Sequence, residues 1–116
     1  MKTASKALLM TVLVSFAMQL ASCGAGEVQS AKLYRERRDY ITANIRLEKA
    51  IKADPTNDEA WYLYVVNLYD LKQYEKIANV IDTAMLYSVT HHPDLQVVKH
   101  NTWAMLYMGC LLYTSD

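Results

Sequence analysis

The sequence predicts an all-α protein, a short stack of antiparallel helical hairpins behind an N-terminal export signal. Three observations carry that expectation: the chain resembles itself when shifted by 34 residues, its apolar residues recur at helical spacing, and its breaks hold helix-capping residues.

The first element is the segment before Cys23. Lys2 and Lys6 flank the start of an apolar run from Ala7 to Met18, broken only by Thr11 and Ser15, and the small residues Ala21 and Ser22 follow. Positive, then apolar, then small is the order of a secretory signal. The run is about a dozen residues, short of the roughly 20 that a bilayer-spanning helix needs. Residues 1–22 are therefore expected to be removed. The stretch Leu20-Ala21-Ser22-Cys23 resembles the bacterial lipobox, in which the chain is cut before the cysteine and the thiol is acylated. That resemblance implies a lipoprotein signal peptide, with Cys23 bearing palmitate-like chains as the membrane anchor and new N-terminus. Each buried CH₂ contributes about 0.8 kcal/mol, so several chains hold a protein firmly. In such lipoproteins an Asp after the cysteine favours the inner membrane. Gly24 stands there instead, which points to the outer membrane with the protein facing the periplasm.

Residues 23–110 read as a helical repeat domain. The 34-residue shift pairs Tyr40 with Tyr74, Ala43 with Ile77, Leu47 with Ile81, Ala50 with Ala84 and, more loosely, Tyr34 with Leu68. Trp61, Tyr64, Leu68 and Leu71 fall at i, i+3, i+7 and i+10, and Tyr74, Ile77, Ile81, Ala84 and Met85 form a second stripe. Two such helices joined by a two-residue break make an αα-hairpin. Asn57 is placed to cap the helix that follows it, Asp58 and Glu59 suit that helix's positive end, and Pro55 stops the helix before it. Asp39 caps the helix from Tyr40 in the same way. The arrangement of Pro55, Trp61, Tyr64, Tyr74, Ile81 and Ala84 is similar to the tetratricopeptide repeat (TPR), whose period is 34 residues. The resemblance implies TPR-type hairpins, a fragment of an α-solenoid, with repeats at about 24–57 and 58–91. Ala31 and Val65 occupy the position that the family fills with a small residue, and Glu27 stands where the first repeat would carry Trp.

The third repeat is partial. Pro93 lies four residues beyond the place of the next inter-repeat proline, so an insertion is expected around residues 88–92. Leu95, Val98, Trp103, Leu106 and Tyr107 then read as a further helix over about 94–110. A repeat protein buries each hairpin on its neighbours and finishes with a polar cap. Here the apolar stripe has no successor, so a truncated C-terminus is expected. The tail at 111–116, with Cys110, resembles translated adapter sequence. The competing expectation is that the last helix covers its face by dimerisation.

The charge balance, 12 Lys plus Arg against 12 Asp plus Glu, points away from nucleic acid, which calls for a basic face. With Cys23 committed to lipid, Cys110 stands alone and no structural disulfide is expected. His91, His92 and His100 are the only imidazoles, and neighbours in sequence diverge on any regular element, so no metal site is expected. No phosphate loop, nucleophile elbow or Cys/His dyad is present. Neither enzyme activity nor a cofactor is expected.

The family resemblance implies instead a protein-binding groove lined by the first helix of each repeat. Carried onto this chain, it comprises Glu59, Tyr62, Val66, Tyr69 and Asp70 in the second repeat and Val28, Lys32 and Arg35 in the first. Tyr62, Val66 and Tyr69 follow i, i+4, i+7 on a stripe distinct from Trp61, Tyr64 and Leu68. A helix apolar on two faces is either covered by a neighbour or binds something, and tyrosine is enriched in binding hot spots. The expected function is a membrane-anchored adaptor that binds a protein or peptide partner in the bacterial cell envelope. The alternative is the helical segment of a ligand-capture lipoprotein that takes a sugar or peptide.

Overall fold

A computed structural model describes the backbone of residues 2–114 and the side chains of residues 5–15 and 25–109. The described residues form α1 (Lys2–Glu36), α2 (Tyr40–Ala53), α3 (Asp58–Asp70), α4 (Tyr74–Tyr87) and α5 (His92–Thr114), with no strand among them. The protein is all-α, as its periodicity requires.

The 34-residue period reappears in the helix boundaries. Tyr40 and Tyr74 open α2 and α4, Ala53 and Tyr87 close them, and Asp58 and His92 open α3 and α5. The hairpin turns repeat as well. Arg38 and Lys72 have φ of 61° and 58°, in the left-handed region. Around Arg38, the Asp39 amide donates to Tyr34 O at 2.9 Å and the Arg38 amide to Arg35 O at 2.9 Å. Around Lys72, the Gln73 amide donates to Leu68 O at 2.9 Å and the Lys72 amide to Tyr69 O at 3.0 Å. Both breaks thus end their first helix with a Schellman closure, whose left-handed residue is usually glycine. The break runs over residues 37–39 and 71–73, one residue longer than the sequence suggests.

The caps fall where the side-chain chemistry places them. Asp39 Oδ1 accepts from the Thr42 amide at 3.1 Å, and Asn57 Oδ1 accepts from the Ala60 amide at 3.1 Å. Each fills one of the donors that a helix start leaves without a partner. The insertion expected around residues 88–92 is not found: residues 54–57 separate α2 from α3, and an equal stretch, 88–91, separates α4 from α5. Pro93 is instead the second residue of α5, inside the first turn, where no N–H is needed from it. The proline moved while the helix start kept its register.

Two clusters form the core. Val28, Ala31, Ala43, Leu47, Ala50 and Ala60 make the first, and Val65, Leu68, Ile77, Ile81, Ala84 and Leu95 the second, with Tyr64 packed against both. Ala31 and Val65, Ala43 and Ile77, Leu47 and Ile81, and Ala50 and Ala84 are pairs at the repeat spacing, and all eight are buried. The same faces are therefore turned inward in each hairpin. The described side chains of residues 5–15, by contrast, are all exposed. No helix among the described residues is long and apolar enough to cross a membrane. The side chains of residues 16–22 and of Cys23, the expected cleavage and lipid-attachment region, lie outside the described residues, as do those of Cys110 and of the tail at 111–116.

Candidate protein-binding face

The first helices of the hairpins stand side by side: α1 touches α3, and α3 touches α5. That row brings together most of the residues expected to line a groove. Lys32 on α1 forms an ion pair with Glu59 on α3, and Arg35 lies 3.4 Å from the Asp70 carboxylate. The Arg35 guanidinium also donates to Asn67 Oδ1 and sits 5.7 Å over the Tyr40 ring. The groove charges are thus engaged with one another across the repeat boundary. They tie the first repeat to the second and form a polar edge to the face.

Val28 does not belong to this face. It is 3% exposed and sits in the first core cluster, because α2 packs against the side of α1 that carries it. Tyr62 and Tyr69 are half-buried and pack against the second cluster. Tyr62 also stacks on His91, with ring centroids 3.9 Å apart and planes 14° apart, so the loop before α5 covers part of it. Tyr69 meets Tyr74 edge-on at 5.8 Å and 78°, at the turn into α4. Of the three residues in the stripe, only Val66 is packed against neither cluster while remaining partly exposed. The open part of the face is therefore narrower than the sequence suggests, centred on Val66 with Tyr62 beside it.

A clasp at the second inter-repeat loop escaped sequence reasoning. The Asp58 carboxylate accepts from Ser88 Oγ at 2.6 Å and from the Thr90 amide at 3.1 Å. The Ser88 hydroxyl, followed by the Thr90 contact, holds the Asp58 carboxyl below its usual range. The repeat spacing offered a signal, since Ser88 and Thr90 correspond to Asp54 and Thr56, which bond to each other in the first loop at 2.6 Å. In the second loop the acid is gone from position 88, and Asp58 of the neighbouring helix supplies it. A second polar contact lies at Tyr64, whose hydroxyl donates to Glu48 at 3.4 Å; burial first, and then the Glu48 charge, push its acidity constant up. Glu27, at the position where Trp was expected, pairs with Arg46 at 3.4 Å.

Apart from Asp54–Thr56, which lies within the first loop, each of these contacts joins two elements of the fold. Among the described residues no group of three or more His, Cys, Asp or Glu side chains is close enough to hold a metal ion. Compared with known proteins, the chain matches no family model, no curated protein and no solved structure.

Proposed function

We propose that this chain is a lipid-anchored adaptor of the tetratricopeptide kind, which holds a partner protein at a bacterial envelope membrane. One observation carries the reading: helix starts, helix ends, left-handed turn residues and buried positions all recur at 34 residues. That is the period and hairpin order of the family, and stacked repeats use their extended surfaces for binding. The row of α1, α3 and α5 supports a protein ligand, since Val66 and the exposed part of Tyr62 form an apolar strip bordered by Lys32–Glu59 and Arg35–Asp70. An extended apolar segment with polar flanks suits that strip. The anchor rests on the lipobox at residues 20–23. The exposed apolar side chains of Leu8, Leu9, Val12, Leu13 and Val14 suit a leader bound for lipid or removal rather than a packed helix.

The test is positional. A photo-crosslinking residue is placed at Val66 or, as a control, at the exposed Thr83 on α4, in cells carrying the full chain. The reading expects a discrete envelope protein to be captured from position 66 and not from 83. Equal capture from both positions contradicts it. For the anchor, Cys23→Ala should release the protein from membranes into the periplasmic extract, and unchanged partition into detergent contradicts the lipid attachment.

A further inference from the structure

The face of α2 that carries Ile41, Asn44, Ile45 and Glu48, at i, i+3, i+4 and i+7, borders a cavity of about 150 Å³, with Leu71, Gln73 and Lys76 opposite, at the turn into α4. All its walls come from residues 41–76, within the described chain. The space holds about five waters at ~30 Å³ each, or one small organic molecule of the same bulk. The protein itself matches the polar groups of this cavity poorly. Asn44 is 7% exposed, and its Oδ1 has no hydrogen-bond partner. Buried acceptors in native proteins are nearly always matched by a donor. The Glu48 carboxylate accepts from the Tyr64 hydroxyl at 3.4 Å, a long contact. Neither Glu48 nor Lys76 joins an ion pair among the described residues.

The second repeat shows the same positions without this mismatch. At the repeat spacing Asn44 becomes Ala78, and Glu48 becomes Asp82, whose carboxylate lies 2.7 Å from Lys99. Lys99 in turn corresponds to Val65, so the first repeat keeps the acid, adds an amide and has no cation in that place. We propose that the cavity binds a small aliphatic α-amino acid, its ammonium group held by Glu48 and the Asn44 amide, its carboxylate by Lys76 and Gln73, and its side chain by Ile45 and Leu71. Opposite charges from α2 and α4 on one small cavity call for a ligand that carries both. A purely cationic ligand leaves Lys76 unmatched, and a purely anionic one leaves Glu48 unmatched. The bound ammonium supplies the donor that the Asn44 amide lacks. This site shares no residue with the Val66 face and stands or falls apart from it.

The probe is L-valine, titrated into the full chain and followed by backbone amide resonances. Isobutylamine, which lacks its carboxylate, and isovalerate, which lacks its ammonium group, are the comparisons. Saturable binding in the millimolar range or tighter is expected, since so small a ligand makes few contacts, with shifts concentrated at Ile45, Leu71 and Gln73. Both comparison molecules should bind about tenfold or more weakly, and Glu48→Gln and Asn44→Ala should each weaken L-valine by about the same factor. Asp82→Asn, at the matching acid of the second repeat, should leave binding unchanged. Asn44→Ala installs the residue that the second repeat already has; if it nevertheless loses helicity, Glu48→Gln, at an exposed position, decides the outcome. No saturation in the millimolar range, equal binding of either comparison molecule, or a loss from Asp82→Asn as large as that from Glu48→Gln overturns the proposal.

Discussion

Removing the Arg35 guanidinium distinguishes a buried polar tie between the two repeats from a mere surface charge pair. Arg35 donates to Asn67 Oδ1 and pairs with Asp70, while Asn67 is wholly buried and its Nδ2 has no partner. Arg35→Ala leaves the Asn67 amide without a bond at either end. A buried acceptor stripped of its donor costs about 1–3 kcal/mol, and loss of the partly exposed Asp70 pair adds at most about 1 kcal/mol. The expected loss is about 2–3 kcal/mol, which for a domain of this size lowers Tm by roughly 10–20 °C. Asn67→Leu acts differently. It is close in volume, removes the donor that lacks a partner, and leaves Arg35 with Asp70, so it is expected to change stability by less than about 0.5 kcal/mol or to raise it. Thermal unfolding followed by far-ultraviolet circular dichroism, on both single variants and the double, reads the contrast. The double variant should fall well short of the sum of the two costs, because the residues share one contact. A loss from Asn67→Leu as large as that from Arg35→Ala refutes the reasoning.

The left-handed turns predict a gain. Arg38→Gly and Lys72→Gly each relieve about 1–2 kcal/mol of backbone strain and give back about 0.5–1 kcal/mol in chain entropy, so each should raise stability by about 0.5–1 kcal/mol, additively in urea titrations; a loss at either site shows that its turn is not left-handed. Asp58→Ala should cost only about 1 kcal/mol, since Ser88 Oγ keeps the Asp58 carbonyl as an acceptor at 3.0 Å. Because the folded carboxyl is held below 3.8, its contribution is full above that value and is lost as pH falls past it. Wild type and variant should therefore differ at pH 7 and converge in strong acid, and a gap that widens there refutes the clasp. Tyr69→Ala should lower stability by about 2–3 kcal/mol through lost packing on the core and on Tyr74, against less than about 1 kcal/mol for Val66→Ala; equal losses contradict the division between core and face.

Much of the fold is legible from local chemistry. Tyr40 and Tyr74 mark the second helix of each hairpin, and Asp39 and Asn57 cap where short polar side chains before apolar stripes should cap. What stayed hidden depends on contacts across the repeat boundary. Pro93 suggested an insertion because proline was read as a loop residue, although a first helical turn accepts it equally well. Val28 looked like a groove residue by family register, but the side of α1 that α2 covers decided its burial. The turns carry Arg38 and Lys72 rather than glycine, so nothing in the residue type announced their φ. Of the candidate face, Glu59 and Asp70 lie beside Lys32 and Arg35 across the repeat boundary. Their mutual neutralisation needed the α1–α3 distance, and Tyr62 narrowed the groove because His91, in a loop, happens to stack on it.

The most direct measurement is the mass of the mature N-terminal peptide isolated from bacterial membranes. The account predicts a chain beginning at Cys23 with two or three acyl chains attached. An uncut leader, or a cleaved peptide with a free thiol at Cys23, contradicts the membrane-tethered adaptor.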